Sequence, residues 1–231
     1  MSAARFKLLA VDLDGTLVDS APDIAHSLGV ALEAVGLDAP GEARTRTWIG
    51  DGIETVIARA LAAADAGHKG RAPLDARAAA ERQATVLAAF TECYRSNLFV
   101  RTEIYPTVEA TLDALRARGI RLCCVTNKRY AFSEALLKQA GLRDRFELVL
   151  GGDSLPEKKP SPLPLTTAAQ KLGVAPAYAT LVGDSPQDLR AARAAGFGFV
   201  FASYGYGKVD PKELGASPRI ERFAEIEPLI D

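Results

Sequence analysis

The chain has 231 residues, 28 Lys and Arg against 29 Asp and Glu for a net charge of -1, and a hydrophobic fraction of 48%. That length suffices for one substantial core, or for one core carrying a smaller inserted domain. The near-neutral balance gives no electrostatic reason to expect nucleic acid or an anionic membrane as partner, and no run approaches the roughly 20 apolar residues that span a bilayer.

The first short apolar run, Phe6–Val11, ends in Asp12-Leu13-Asp14-Gly15-Thr16. Those two acids interrupt the apolar stretch that follows the basic start, so no signal peptide fits. From about Ala21 to Asn97 no strand is evident, and three helical stretches follow one another. Ser20 is placed to cap the first, with Pro22 in its first turn and Asp23 near the positive end of the dipole. Ile24, Leu28, Ala31, Leu32 and Val35 share one face of it, and Gly36 closes it. Ile53–Leu61 repeats the logic through Ile53, Val56, Ile57 and Leu61. A third helix, over about Leu74–Tyr94, turns Leu87, Phe90 and Tyr94 inward. The Ala/Arg-rich tract Ala62–Arg82 reads as helix surface with a loop around Gly67–Pro73.

Beyond Asn97, apolar runs alternate with helical patterns. Thr107–Arg118 puts Val108, Leu112 and Leu115 on one face and stops at Gly119. Tyr130–Ala140 stops at Gly141 and Pro186–Ala195 at Gly196 in the same way. The intervening runs Ile120–Thr126, Glu147–Gly151, Ala179–Gly183 and Phe197–Ala202 have strand length. Short continuous runs separated by helices imply a parallel sheet covered on both faces. The expected fold is therefore α/β: a doubly wound, Rossmann-like parallel core from residues 1–19 and 98–231, interrupted by an all-helical cap at 20–97. Cys123 and Cys124 point to opposite faces if their segment is a strand. An odd cysteine count without framework spacing points to reduced, structural thiols in a cytoplasmic protein.

Parallel sheets present functional loops at the carboxyl ends of their strands. Here those ends carry Asp12 and Asp14, then Thr126-Asn127-Lys128, then Lys158-Lys159-Pro160 after the third strand. The fourth carries Gly183-Asp184-Ser185, with Asp188 one turn into the next helix. This inventory suits phosphoryl transfer. Carboxylate oxygens select a hard cation such as Mg²⁺, and the cation and Lys159 together neutralise phosphate charge. A counter-charge at roughly 4 Å is worth about 4 kcal/mol at an effective dielectric near 20. Asp12 can act as covalent nucleophile, and Asp14 as general acid and then base. Gly15 lets the backbone approach the phosphate. Lys159 is preferred because it directly precedes Pro160, and Lys158 is read as solvated. Arg44 and Arg59 could reach a substrate carboxylate but are read as exposed helix surface; His26 and His68 are isolated.

Taken together, Asp12-Leu13-Asp14-Gly15-Thr16, Thr126, Lys159 in Lys-Pro-Ser-Pro, and Gly183-Asp184-Ser185 with Asp188 resemble the four ordered motifs of the haloacid dehalogenase-like (HAD) superfamily. The resemblance covers nearly the whole chain. It implies Asp12 as nucleophile and metal ligand, and Asp14 as acid/base lending a backbone carbonyl to the metal. Thr126, Asn127 and Lys159 would hold the phosphate, and Asp184 would be a second carboxylate ligand. Asp188 would orient Lys159 or metal-bound water, with Ser185 and Gly15 in support. Asp14 argues against the dehalogenases, which lack it, and against the transport ATPases, which have Lys there.

Leu17-Val18-Asp19-Ser20-Ala21-Pro22-Asp23, Thr47-Trp48-Ile49-Gly50-Asp51-Gly52 and Tyr204-Gly205-Tyr206-Gly207 resemble phosphoglycolate phosphatases of the bacterial type. That family implies a small phosphorylated metabolite as partner and hydrolysis of 2-phosphoglycolate. A sugar phosphate such as N-acetylmuramate 6-phosphate is the alternative within the same fold. Trp48, Gly50 and Asp51 are the cap candidates for reading the substrate. A phosphosugar mutase is a rival, but the family's mutases carry a cap histidine where Pro22-Asp23 stands. A receiver-like phosphorylation module is a non-enzyme rival, yet receivers lack the helical insert and the second acid. A monomer or weak homodimer is expected.

Overall fold

Leu8, Leu9, Ala10 and Val11 are all buried, the pattern of a strand covered on both faces rather than of an edge. In a computed structural model that describes residues 6–67 and 74–229, this segment is β1 (Leu8–Val11), followed by β2 (Val18–Asp19). Four helices come next: α1 (Ala21–Glu33), α2 (Glu42–Arg46), α3 (Ile53–Gly67) and α4 (Ala76–Ser96). The alternating part then runs β3 (Glu103–Ile104), α5 (Val108–Ala117), β4 (Arg121–Val125), α6 (Tyr130–Gln139), β5 (Leu148–Leu150) and α7 (Leu163–Lys171). It closes with β6 (Ala179–Gly183), α8 (Pro186–Ala195), β7 (Gly198–Ala202), α9 (Pro211–Leu214) and β8 (Arg219–Ile220).

Six strands form one sheet in the order β5-β4-β1-β6-β7-β8, and every pairing in it is parallel. The chain builds outward from β1 through β4 to β5, then returns to place β6 on the other side of β1. Strand order therefore reverses between β1 and β6, and the crevice at their carboxyl ends is the place such sheets offer to ligands. On one face Leu8, Ala10, Cys123, Val125 and Leu181 pack with Leu165 and Ala168 of α7 and Leu189 and Ala192 of α8. Cys123 lies in that cluster and its buried neighbour Cys124 does not, as strand alternation requires. Burial pushes the Cys123 thiol up to about 12, so it is inert.

The chain divides into two compact units, Met1–Asp19 with Glu103–Asp231, and Ser20–Thr102. The second is helical, and α1 and α4 form its main contact. Ile24, Leu28, Ala31 and Leu32 supply the buried face of α1, and Val86, Phe90 and Tyr94 that of α4. Phe90 and Tyr94 stack at 5.1 Å. Arg82 forks onto both carboxylate oxygens of Asp65 at 2.9 and 2.6 Å, tying α4 to α3.

Several local expectations are corrected. On α4 the buried stripe runs through Val86, spaced four residues from Phe90, and Leu87 is only half-buried. Ser20 occupies the N-cap of α1 without a side-chain capping bond. Asp23 is not a surface partner of the helix dipole. It is buried, and its carboxylate accepts the backbone N–H groups of Val100, Arg101 and Thr102 and the Thr102 hydroxyl at 2.8 to 3.0 Å. Those bonds stitch residues 98–102 to α1, which is why the helical unit extends past Asn97. The short elements α2, β2, β3 and β8 also lie outside the sequence reading. The loop expected around Gly67–Pro73 and His68 falls outside the described residues, except that α3 continues through Gly67. No helix among the described residues is long and apolar enough to cross a membrane.

Candidate active site

Asp12 is the first residue past β1, and its N–H donates to the Val182 carbonyl of β6 at 3.0 Å. This bond aims the side chain into the crevice where strand order reverses. Asp184 follows β6 directly, and Ser185 opens α8 as its N-cap. A reciprocal capping box joins Ser185 and Asp188: the Ser185 hydroxyl and N–H donate to Asp188 Oδ2 at 2.5 and 3.1 Å, and Asp188 N–H donates back to Ser185 Oγ at 3.3 Å. The same helix start thus orients a second carboxylate toward the crevice.

Lys159 comes from the loop before α7 and is buried to 3% exposure. Its Nζ donates to Asp188 Oδ1 and to the Val125 carbonyl, each at 2.6 Å. It also lies 2.9 Å from Asp12 Oδ1, at ion-pair distance but outside hydrogen-bond geometry, so that oxygen has no hydrogen-bond partner. Burial opposes charge on this ammonium, but Asp12 and Asp188 outweigh it and hold the group protonated, above the ordinary lysine range. Asn127 Nδ2 donates to the Lys159 carbonyl at 2.9 Å, fixing the lysine's backbone to the end of β4. Thr126 is buried, and its hydroxyl accepts the Lys128 N–H at 3.2 Å.

Asp184 is held by a loop that follows β7. The N–H groups of Tyr206 and Gly207 donate to Asp184 Oδ2 at 2.7 and 3.0 Å. Two hydroxyls of the same loop reach the segment after β1: Tyr204 Oη donates to the Thr16 carbonyl at 2.9 Å, and Tyr206 Oη to Asp19 Oδ1 at 2.8 Å. The fit leaves no room for a methyl. A Cβ on Gly205 would collide with the Gly15 carbonyl and the Asp184 side chain, and one on Gly15, at φ 82°, would collide with the Asp184 carboxylate.

Asp14 stands apart from this cluster. Its two carboxylate oxygens lie 3.0 and 3.1 Å from Lys128 Nζ, both side chains nearly buried. Lys128 was visible at the β4 end in sequence without a role; the pairing joins residues 114 positions apart.

Oxygen atoms of Asp12, Asp184 and Asp188 lie within 4.8 Å of one another, a grouping that could hold a metal ion. The electrostatics support it. Burial raises the Asp184 carboxyl to about 8, and the nearby charges of Asp12 and Asp188 add to the effect. Burial raises Asp12 to about 6 against the pull of Lys159. Three carboxyl groups here, those of Asp12, Asp184 and Asp188, crowd around the single ammonium of Lys159, and a cation between them would relieve the repulsion that adds to burial in raising Asp12 and Asp184. Both Asp188 oxygens are already engaged, whereas Asp12 Oδ1 has a lone pair without a donor. The all-oxygen donor set belongs to a hard cation.

Trp48, Gly50 and Asp51 belong to the helical unit, in the turn between α2 and α3. Arg59 donates to the Trp48 carbonyl and to the Asp51 carboxylate. Lys158 is half-buried rather than solvated. The signal for the Asp184-holding loop was present as the alternation Tyr204-Gly205-Tyr206-Gly207, but nothing local says which carboxylate those N–H groups would meet.

Residues 6–196 match the family model described as haloacid dehalogenase-like hydrolase. The chain is 40% identical over 225 residues to the phosphoglycolate phosphatase of Nitrosococcus oceani, covering 97% of this chain and 96% of that one. It is also 40% identical over 231 residues to the phosphoglycolate phosphatase of Chromobacterium violaceum, covering 100% and 99%. The crystal structure of a predicted phosphoglycolate phosphatase from Haemophilus somnus 129pt superposes with a TM-score of 0.89 at 35% identity, over 98% of this chain and 99% of that one. The chain belongs to the haloacid dehalogenase-like hydrolase family.

Proposed function

We propose that this chain is a phosphatase that hydrolyses 2-phosphoglycolate to glycolate and phosphate. The observation that carries the reaction class is the buried cluster of Asp12, Asp184 and Asp188 around the Lys159 ammonium. A dense set of carboxylates compensated by one lysine and one cation is what an anionic nucleophile needs before it can approach an anionic phosphorus. Support for the particular substrate comes from the full-length likeness to enzymes of that name.

Asp12 attacks the phosphorus through one carboxylate oxygen. The bond to the glycolate oxygen breaks, and that oxygen leaves with a proton from Asp14. In the second half, Asp14 takes a proton from water as the water oxygen attacks the same phosphorus. Phosphate departs and the Asp12 carboxylate is restored. Lys159, Thr126 and Asn127 hold the phosphoryl oxygens. Asp188, braced by Ser185, fixes the Lys159 ammonium, and Gly15 keeps the backbone clear of the phosphate. Lys128 pairs with Asp14 in its carboxylate form, the form that serves as base in the second half; to act as acid in the first half, Asp14 takes up a proton from solvent and the pair opens. Asp12 and Asp184, with the Asp14 backbone carbonyl, would hold Mg²⁺, which would supply positive charge to the phosphoryl group. The helical unit serves as a cap that selects the substrate, with Trp48 and Gly50 as its reading residues. The free thiols Cys93, Cys123 and Cys124 suit a reducing cytoplasm.

Steady-state kcat/KM over 2-phosphoglycolate and a panel of sugar phosphates, N-acetylmuramate 6-phosphate included, tests this. Phosphoglycolate should lead the panel. A sugar phosphate turned over with higher kcat/KM would overturn the substrate, and a dependence on a bisphosphate activator would replace hydrolysis by a mutase.

A further inference from the structure

Arg59 is exposed on α3, as the sequence predicts, and its guanidinium turns back along the chain. Nη1 donates to the Trp48 carbonyl at 2.9 Å and Nη2 to Asp51 Oδ2 at 2.5 Å. These partners are the first and last residues of Trp48-Ile49-Gly50-Asp51, so one planar fork grips both ends of the turn that joins α2 to α3. Thr55 Oγ1 donates to the Asp51 carbonyl at 3.3 Å from below, and the Arg44 guanidinium lies 5.4 Å from the centre of the Trp48 ring. Gly50 and Gly52 stand at φ 126° and 87°, backbone that residues with a side chain rarely adopt. Trp48 N–H bonds back to the Thr45 carbonyl, and the Arg59 and Thr55 side chains add the bonds that tie the turn forward to α3. A carboxylate aimed at an anionic phosphate ester would repel it, whereas a carboxylate committed to Arg59 has a purpose that needs no substrate contact.

We infer that Arg59 is a positioning residue for substrate selection: its fork sets the Trp48–Asp51 turn, and Asp51 anchors Arg59 instead of reading the substrate. This inference rests on the proposed role of the helical unit in selecting phosphoglycolate. A lysine supplies a point charge in place of a fork and can hold only one end of the turn at a time.

A double-mutant cycle of Arg59→Met and Asp51→Asn, with Arg59→Lys beside it, tests the assignment by kcat and KM on 2-phosphoglycolate and on p-nitrophenyl phosphate. Arg59→Met should raise KM for phosphoglycolate about tenfold with kcat altered less than about twofold, and should shift the aryl ester less. Asp51→Asn should reproduce the effect, the double variant should be no worse than Arg59→Met alone, and Arg59→Lys should fall between. Thermal melts of each variant show whether the fold is kept; should Arg59→Met not fold, Asp51→Asn and Arg59→Lys make the same comparison. Equal losses on both esters, additive effects of the two substitutions, or an unchanged KM would each overturn the inference. If the unaltered enzyme prefers another ester of the panel, the substrate reading fails by itself, and the same cycle run on that ester still decides the role of Arg59.

Discussion

Lys159 and Arg59 each hold two partners, but in different surroundings. The Lys159 side chain is 2% exposed, facing Asp12 at 10% and Asp188 at 0%. The Arg59 side chain is 41% exposed and its partner Asp51 22%. In the first site water screens nothing, so removing one member strands charges that cannot be rehydrated. In the second, solvent replaces a lost partner at little cost. The proposed phosphoryl-transfer groups thus sit where single changes are expensive for stability, and the proposed selection turn sits where they are cheap.

The largest effect that would sharpen this contrast is loss of the proposed nucleophile. Asp12→Asn should lower kcat by more than about a thousandfold while circular dichroism reports an intact fold, and substantial residual turnover would exclude covalent catalysis. Lys159→Ala should cost about 3–5 kcal/mol in urea denaturation, because Asp12 and Asp188 are left buried without their counter-charge; a loss as small as that of an exposed pair would break the comparison at its root. EDTA should abolish activity and Mg²⁺ restore it. In unfolding measurements on the inactive Asp12→Ala variant, Mg²⁺ should stabilise less than the about 2.7 kcal/mol expected of the intact site at a hundredfold excess over Kd. Gly205→Ala should cost about 1–3 kcal/mol and reduce kcat, since its methyl would displace Asp184. Smallest of all, Arg59→Met should change stability by no more than about 1 kcal/mol, despite its expected effect on KM.

Much of the core could be read from local pattern. Ala179–Gly183 and Pro186–Ala195 have the limits expected of them, because a buried strand must be apolar throughout and an amphipathic helix must stop at a residue able to turn left-handed. With Asp12 and Asp184 at strand ends, Lys159 in a loop beyond one and Asp188 in the first turn of the helix that follows β6, parallel topology brings them to one crevice. The two-residue strands β2, β3 and β8 were illegible because two residues show no period. Asp23 looked like a first-turn acid, and only the return of residues 100–102, 77 to 79 positions later, turns it into a buried acceptor.

By itself the sequence determined the alternation of strands and helices and which carboxylates and lysines stand at or beyond the strand tips. These follow from hydrophobic period and short-range stereochemistry; the family was legible from the resemblance of its ordered motifs. Only the tertiary structure decided which charge meets which: Lys159 with Asp188 and Asp12, Lys128 with Asp14, the Tyr206 and Gly207 amides with Asp184, and Arg59 with both ends of its turn. Such pairings depend on distances of a few ångströms between segments far apart in the chain, and those distances exist only once the sheet and the helices have packed.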